Sequence, residues 1–515
     1  MLLEDETILT RIDRPRESPN PPTRDGAGTV VDPMAQPVPP TAAHSGRLLA
    51  VLALGGCAFA MLQSLVVPAL PTLQRDLHTT PAGVTWIFTA YLLAASVATP
   101  IAGRLGDMFG KKRTLVVVLT GLGGGTLLAA VATTLPVLIG ARAIQGLGGA
   151  IFPLAFGIVR DEFPRERVAG GIALISGLLG VGGGLGIILA GPILAHLDYH
   201  WLFWIPLAVI AVTVLATMLI IPESPVRAPG NVDWTGATLL SLWLVCLLVA
   251  ISEAPTWGWL SVRTLGLLVA AAVLVCAWIW AERRSRSPLV DMRMMQLRGV
   301  WTTNLAGFLL GIGMYSSFVL IPQFVETPAS NGYGFGSSVT QAGLFLIPST
   351  IAMMIASPLG GRLSGSFGSK VPLVLGSTVT MLAFLLLAVA HSAHWQVYLA
   401  SLMLGFGVGF AFAAMANLIV EAVRPDQTGV ATGMNTVMRT IGGAIGGQVV
   451  ASILAASLLV DGFPKEAGYT LSFVIMAVAL AAGIVASLAV PGKQPHRVHA
   501  VTIAEPQPSA EQVGA

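Results

Sequence analysis

Ionisable side chains are scarce in this sequence, and several of them are concentrated in one short turn. The segment Gly103–Arg113 holds one carboxylate, that of Asp107, and four cations: Arg104, Lys111, Lys112 and Arg113. A carboxylate among cations can exchange one ion pair for another without any covalent step. Two interpretations of Asp107 are open: a solvated surface charge, or a contact that forms in one state of the protein and breaks in another. The glycines Gly103 and Gly110 would allow another helix to approach closely.

A second ionisable group, Arg142, lies inside an apolar run. It sits six residues into the run, about 9 Å deep at about 1.5 Å per residue in a helix. Burying a cation in hydrocarbon costs at least about 2.5–3.5 kcal/mol, so such residues usually have a function. Gln145 follows one helical turn later on the same face. Arg142 is therefore either an arginine that extends outward to the membrane surface, or a cavity residue that moves, pairs or senses protons.

A third ionisable group, Arg439, lies deeper still, eleven residues into its run and about 16 Å from its start. Asn435 precedes it by one turn, and Gly442 and Gly446 follow on the same face. This stripe could face a substrate. It could equally serve helix packing, because small residues at this spacing favour close helix contact.

The elements that carry these groups are membrane-spanning helices. The chain has 515 residues, of which 54% are hydrophobic and only 10% charged, whereas a soluble domain has about 25% charged residues. Fourteen apolar runs lie between Leu48 and Val490, most of them close to the roughly 20 residues that a spanning helix needs. The seventh and eighth runs, Trp234–Ile251 and Leu265–Trp280, are the shortest. The sequence predicts an all-α polytopic membrane protein.

The distribution of cations predicts the orientation. In the loops of one side the only lysines and arginines are Arg75, Arg263 and Lys465, whereas the loops and tails of the other side carry most of the 28 in the chain. Cytoplasmic loops are enriched in lysine and arginine. We therefore expect the cation-rich side to be cytoplasmic, with both termini on it, in the plasma or inner membrane.

The chain is also duplicated. The turn Gly361–Lys370 repeats the glycines, Arg, Leu, Phe and Lys of Gly103–Arg113 at a fixed offset, with Gly365 in the place of Asp107. A second echo pairs Gly170 with Gly429. The two turns lie eight helices apart, so two six-helix halves with two inserted helices are predicted. The predicted divisions are a disordered cytoplasmic tail (1–46), an N-terminal six-helix bundle (47–222), two additional helices with a cytoplasmic loop (223–298), a C-terminal six-helix bundle (299–491) and a second disordered cytoplasmic tail (492–515).

Taken together, these motifs resemble the major facilitator superfamily, and within it the fourteen-span drug:proton antiporter (multidrug efflux) group. The turn Gly103–Arg113 is similar to the superfamily signature between helices 2 and 3, and Arg142 with Gln145 is similar to the group's helix 4 motif. The resemblance implies the major facilitator fold, alternating access, and a charge latch at the first turn. The residues implied in gating are Gly103, Arg104, Asp107, Gly110, Lys111 and Arg113, and those in coupling or the cavity are Arg142, Gln145, Asn435 and Arg439.

Two features depart from the group's pattern. The stretch Met61–Ser64 of helix 1 has no carboxylate, although members of the group commonly carry one there. In the glycine-rich helix 5, which resembles the antiporter motif, Gly186 is followed by Ile187 instead of proline. The residues assigned to this motif are Gly182, Gly186, Gly191 and Pro192. By themselves the glycines indicate only that the helix can pack tightly. The resemblance implies in addition a helix that bends and seals the unoccupied route.

Uncharged polar and aromatic groups inside the spans would line an apolar cavity suited to amphipathic compounds. They are Gln63, Trp86, Tyr91, Asn304, Tyr315 and Asn417. No phosphate-binding GxxxxGK[ST] motif occurs, so we expect transport to be driven by a gradient.

We expect an exporter of amphipathic drugs, antibiotics or metabolites that exchanges them for protons. The alternative is facilitated movement or uptake of a polar solute. We expect no enzymatic activity, because no cluster of Asp, His, Cys or Ser lies at a membrane face, and neither a cofactor, a bound metal nor a nucleic acid as partner. The expected partners are the small substrate, protons and the lipid bilayer, and the expected state is a monomer.

Overall fold

The computed structural model describes residues 42–79, 81–224, 228, 231–459 and 463–492. The predicted tails, 1–46 and 492–515, lie outside the described residues except for 42–46 and 492. Residues 42–46 are helical, so the prediction of disorder was wrong for them. A helix that already spans the bilayer can continue by one turn because each added residue gains a backbone hydrogen bond without a new nucleation cost.

The described residues form α-helices joined by short loops, with one isolated β-bridge between Leu458 and Pro464. The helices are α1 (Ala42–Asp76), α2 (Pro81–Phe109), α3 (Lys111–Ala130), α4 (Leu135–Gln145), α5 (Ile151–Glu162), α6 (Arg165–His196), α7 (Trp201–Ile220), α8 (Trp234–Trp257), α9 (Val262–Arg284), α10 (Met292–Gln296), α11 (Arg298–Glu326), α12 (Val339–Phe345), α13 (Ile347–Phe367), α14 (Lys370–Val389), α15 (His394–Ala422), α16 (Thr428–Ala455) and α17 (Glu466–Ala489).

These helices make fourteen membrane spans, which confirms the predicted number. Two spans are interrupted. The fourth consists of α4 and α5 joined by a 3₁₀ segment, Gly146–Ala150, and the tenth consists of α12 and α13. The 3₁₀ segment lies against α2: a Cβ at Gly146 would lie 2.7 Å from the backbone nitrogen of Ala95. Glycine there permits a closer approach of the two backbones than any other residue would.

The seventh and eighth spans are longer than their apolar runs. The helices cover Trp234–Trp257 and Val262–Arg284, 24 and 23 residues. Each continues through polar residues at its ends, such as Glu253 and Arg283. Hydropathy alone underestimates such a span because its last turn lies in the interfacial region, where charged groups are hydrated.

Three clusters of buried apolar side chains hold the spans together. One lies mainly within α1–α7, here called the N-terminal half. A second lies within α11–α17, the C-terminal half. The third joins the inserted helices α8 and α9 to α10, α11, α15 and α16, with residues of α2 packed against it. The inserted pair therefore lies beside the seam where α2 of one half meets α16 of the other.

The two repeated turns make reciprocal contacts across the halves. A Cβ at Gly103 of α2 would lie 2.5 Å from the carbonyl oxygen of Gly429 in α16. A Cβ at Gly361 of α13 would lie 3.1 Å from the carbonyl oxygen of Ala169 and 3.3 Å from Gly170, both in α6. The pair that the sequence echo relates, Gly170 and Gly429, thus lies at equivalent contacts. We call the membrane face that carries both turns the turn face.

Candidate functional site

Asp107 joins the two halves at the turn face. Its side chain is fully buried and accepts hydrogen bonds from the backbone N–H groups of Gly429 at 3.2 Å and Val430 at 3.1 Å. Both groups belong to the first turn of α16, where unpaired N–H groups and the helix dipole favour an anion. The close approach of Gly103 to Gly429 brings the two backbones near enough for these bonds.

Arg160, at the end of α5, makes the complementary contact. Its guanidinium donates to the carbonyl oxygen of Val423 at 2.8 Å, to that of Arg424 at 3.3 Å and to Oγ1 of Thr428 at 2.7 Å. Val423 and Arg424 follow the C-terminal end of α15, where carbonyl groups lack helical partners and favour a cation. We call Asp107, Arg160 and these partners the turn-face latch. The sequence analysis missed Arg160, since its only signal was a cation at the end of an apolar run.

Lys111 supports the latch from within the N-terminal half. Its side chain is fully buried, with Nζ 2.6 Å from Oδ2 of Asp161 and 3.9 Å from Oδ1 of Asp107. Ser224 also donates to Asp161. An uncompensated buried charge is costly, and here Asp161 supplies the closer partner for Lys111. Asp107 therefore keeps its carboxylate available for α16.

The other predicted gating residues surround this pair. Glu223 accepts from the backbone N–H groups of Lys112 at 3.2 Å and Arg113 at 3.3 Å, and so caps the start of α3. Gly110 has a φ of 111°, which other residues rarely adopt. Arg104, 9% exposed, lines a cleft between the halves at the turn face. The turn is therefore built so that helix 2 can end abruptly and still present Asp107 to α16.

The second copy of the turn has no equivalent of Asp107. A Cβ built at Gly365, the matching position, would have no neighbour within 4 Å among the described residues. The carboxylate contact that Asp107 makes with α16 is thus not repeated at the second copy. The contact between α2 and α16 and the contact between α13 and α6 differ in this respect.

Arg142 is buried within the N-terminal half. Its side chain is fully buried, and it donates to the carbonyl oxygens of Ile87 and Leu62, both at 3.1 Å, and to Oε1 of Gln145 at 2.7 Å. The guanidinium also lies 4.1 Å from the ring centroid of Tyr91. The interpretation of an arginine that extends to the membrane surface was therefore wrong, because these internal acceptors replace the interaction with water.

This cluster ties four spans together. Gln145 donates to Oγ1 of Thr126 in α3 at 3.1 Å, and Tyr91 donates to the carbonyl oxygen of Phe59 in α1 at 3.0 Å. Arg142 thus connects α4 to α1 and α2 directly and to α3 through Gln145. These buried hydrogen bonds hold the helices in a defined arrangement, and Nη2 of Arg142 is left without a hydrogen-bond partner among the described residues.

Arg439 lies at the boundary between the halves. Its guanidinium carbon is 4.3 Å from the ring centroid of Phe412 in α15. Its Nε atom is buried and has no hydrogen-bond partner among the described residues. A small cavity of about 20 Å³ lies beside it, with walls from both halves: Phe152, Phe156, Ser176 and Leu179 on one side, and Phe412, Ala416, Thr432, Asn435, Thr436 and Arg439 on the other.

The remaining predicted cavity residues are dispersed. Asn435 donates to Oδ1 of Asn304 at 3.0 Å within the C-terminal half. Asn417 is 2% exposed and donates to the carbonyl oxygen of Ala169 at 3.4 Å, so in this conformation it lies at the contact between the halves. Tyr91 lies under Arg142, as described. The other three predicted cavity residues are partly buried and lie in α1, α2 and α11: Gln63, Trp86 and Tyr315.

The glycines of helix 5, here α6, divide between two faces. Cβ atoms at Gly182 and Gly186 would lie 2.5 Å from the Cys57 carbonyl oxygen and 2.7 Å from that of Met61, both in α1. Gly191 faces Thr340 of α12 at 3.0 Å. The predicted motif residue Pro192 is exposed. The motif thus packs α6 against α1 on one side and against the C-terminal half on the other.

The sequence model of the Major Facilitator Superfamily matches residues 52–447 and 303–510. The chain is 32% identical over 388 residues to the tetracenomycin C resistance and export protein of Streptomyces glaucescens, covering 75% of this chain and 71% of that protein. It is 31% identical over 388 residues to multidrug resistance protein 3 of Bacillus subtilis (strain 168), covering 74% of each.

Among solved structures, the human organic anion transporter MFSD10 (TETRAN) matches with a TM-score of 0.63 at 18% identity, covering 86% of this chain and 99% of that chain. At this identity the match concerns the fold alone. The fourteen helical spans, the family model and the relatives confirm the resemblance drawn from the sequence. The chain is a multi-pass membrane transporter that belongs to the Major Facilitator Superfamily.

Proposed function

We propose that this transporter exports amphipathic organic compounds, such as drugs, antibiotics or metabolites, by alternating access. The observation that carries the proposal is the cavity between the halves, whose walls hold Phe152, Phe156 and Phe412 and whose turn-face end is closed by the latch. Five apolar residues, three of them aromatic, and five polar residues line this cavity, a combination that suits amphipathic compounds. The relatives named for resistance and export support the same direction of transport.

The cavity has room for about one water molecule in the described conformation. A drug-sized ligand needs roughly 300–1,000 Å³. The halves must therefore separate to admit a substrate, and opening toward the turn face requires the latch to break. We infer that the turn face is cytoplasmic, so that latch opening exposes the cavity to compounds inside the cell.

We propose that proton entry drives export. One charge that moves through 100 mV supplies about 2.3 kcal/mol, which is enough for concentrative transport. When the halves separate, Asp107 would leave the N–H groups of α16 for water. That change of surroundings alters the affinity of a carboxyl group for a proton and is a physical basis for coupling.

Facilitated movement or uptake of a polar solute is the alternative. Polar solutes need several convergent hydrogen-bonding groups. The cavity offers Ser176, Thr432, Thr436, Asn435 and Arg439 against three phenylalanines. Asn435 is already bonded to Asn304, so few groups remain for a polar ligand, and export of amphipathic compounds is favoured.

The test compares the accumulation of fluorescent amphipathic dyes in cells with and without the protein, in the presence and absence of a protonophore. We expect lower accumulation in expressing cells and loss of this difference with the protonophore. Greater dye retention in expressing cells would contradict export. A difference that persists with the protonophore would contradict proton coupling while leaving export intact.

A second measurement follows proton release from purified, reconstituted protein when a dye is added. The variants Asp107→Asn, Arg142→Gln and Glu253→Gln identify the group that couples proton and dye movement. We expect Asp107→Asn to abolish the proton signal and Glu253→Gln to preserve it, because Glu253 lies near the far end of α8. Proton release by Asp107→Asn at the parent rate would exclude Asp107 as the coupling group.

A further inference from the structure

The charges available to a ligand in the cavity are of one sign. Every Asp and Glu of the described spans lies within about five residues of a helix end. At greater depth the charged residues of those spans are Arg142 and Arg439. The stretch Met61–Ser64 within α1 contains no carboxylate. A cationic ligand at the centre would therefore meet only like charges.

Each of the two arginines has one buried nitrogen without a hydrogen-bond partner among the described residues, Nη2 of Arg142 and Nε of Arg439, but the two side chains differ in their position. Arg142 is fully buried and bonded to Ile87, Leu62 and Gln145. Arg439 lines the cavity, rests on the ring of Phe412, and has a buried Nε without a hydrogen-bond partner among the described residues. A planar guanidinium presents its donors in a fork that matches a carboxylate or another oxyanion. Of these two residues Arg439 lines the cavity and Arg142 does not, so Arg439 is the one whose unpaired donor a ligand in the cavity can reach.

The surroundings of Arg439 hold it in place without neutralising it. Gly311 of α11 packs against the backbone of Arg439, which fixes α16 at this level. The ring of Phe412 supports the guanidinium at 4.3 Å. No described carboxylate pairs with Arg439. A desolvated cation of this kind attracts an anion more strongly than one in water does, because the dielectric screening is weaker.

We propose that Arg439 binds an anionic group of the exported compound, so that the carrier selects amphipathic organic acids over amphipathic cations. The anion lies against the guanidinium, and the apolar body of the compound packs on Phe152, Phe156 and Phe412. This inference rests on the proposed export function and adds the charge class of the substrate. A purely structural role for the stack of Arg439 on Phe412 would give no charge preference.

The test uses two dyes with the same xanthene ring system: fluorescein, an anion at neutral pH, and rhodamine 123, a cation. Binding to the purified full-length protein is measured by fluorescence anisotropy, and export is measured in the cell assay described above. The parent protein is compared with Arg439→Gln, Arg439→Lys and the control Arg284→Gln. Arg284 also stacks on an aromatic ring, 4.4 Å from the centroid of Trp280, but lies outside the cavity.

We expect the parent to bind fluorescein at least tenfold more tightly than rhodamine 123. Arg439→Gln should weaken fluorescein binding by about ten- to a hundredfold, the range for a hydrogen bond to a charged group, and leave rhodamine 123 binding unchanged or tighter. Arg439→Lys should keep the preference with a smaller loss. Arg284→Gln should bind both dyes as the parent does.

The contrary outcomes are distinct. Export of rhodamine 123 without export of fluorescein would overturn the proposal while preserving the export function. Equal weakening of both dyes by Arg439→Gln, at an unchanged unfolding temperature, would also overturn it. Fluorescein binding that depends on Arg439 without export of either dye would sustain the site and refute the direction of transport. Neither binding nor export of either dye would refute both.

Discussion

Replacement of Asp107 by asparagine should open the turn face. The side chain keeps its size but loses its charge. In the latched state the carboxylate accepts two backbone N–H bonds, at 3.2 and 3.1 Å, from the first turn of α16. An asparagine oxygen can accept only part of this set, and its amide N–H₂ would face the second donor. We expect insertion to remain normal and transport to be abolished.

The magnitude follows from the contacts. A hydrogen bond to a charged group contributes about 1.5–3 kcal/mol, and a carboxylate at a helix N-terminus contributes up to about 2 kcal/mol in a partly buried site. Lys111 keeps its closer partner, Asp161 at 2.6 Å, so its own pairing survives. Taken together, the latched state should lose about 3–4 kcal/mol relative to the open state. At 1.4 kcal/mol per tenfold, the open fraction should rise by at least about a hundredfold.

The assay is labelling of a single cysteine by a membrane-impermeant maleimide applied from the turn face. The reporter is Thr432→Cys, in a background without the three native cysteines, because Thr432 lines the cavity and is 3% exposed. We expect the labelling rate to rise by at least about a hundredfold in Asp107→Asn, in proportion to the open fraction.

The matched control is Glu166→Gln, which removes an exposed carboxylate from the first turn of α6 at the same face. It should label at the parent rate. A labelling rate for Asp107→Asn within twofold of the parent, or wild-type transport at normal surface abundance, would refute the latch.

Three further predictions use the same protein. Gly103→Ala should also raise the labelling rate, because its Cβ would lie 2.5 Å from a carbonyl oxygen of the other half. The control Gly365→Ala should not, because its Cβ would have no neighbour within 4 Å. Equal labelling rates for the two variants would contradict the reciprocal contacts. Arg160→Gln loses charge-assisted hydrogen bonds at 2.7 and 2.8 Å and should raise the labelling rate about ten- to a hundredfold. When it is combined with Asp107→Asn, the free-energy effects of the two substitutions should be less than additive. Full additivity would argue against one shared latch. Arg142→Gln should destabilise the purified protein by at least about 1.5–3 kcal/mol, since it removes buried hydrogen bonds donated by a charged group. A thermal melt in detergent at the parent temperature would contradict that role.

Much of the architecture was predictable because the signals are local. A membrane span consists of about 20 consecutive apolar residues, and the predicted number of fourteen spans was correct. The duplication was visible at Gly103 and Gly361 because the same turn chemistry occurs twice. The predicted ends differed from the structure where helices continue past the apolar run, as at residues 42–46 and in the seventh and eighth spans. Hydropathy detects the residues that lie in hydrocarbon, whereas the end of a helix depends on where its backbone hydrogen bonds stop.

The location of the site was predictable for a related reason. A charge inside or beside hydrocarbon is costly, so Asp107, Arg142 and Arg439 stood out from their neighbours. The contact that Asn417 makes could not be predicted, because an uncharged amide looks the same in a sequence whether it lines a cavity or joins two halves. Its acceptor is a backbone carbonyl of α6.

What the sequence by itself determined is the number of spans, the internal duplication and the few buried charges, each of which depends on side chains close together in the chain. The tertiary structure decided what those charges bind. Asp107 binds backbone N–H groups of α16, Arg160 binds backbone carbonyls at the end of α15, and Arg142 binds carbonyls of α1 and α2. Backbone groups are the same at every residue, so a partner of this kind leaves no signature in the sequence and becomes apparent only when the helices are packed together.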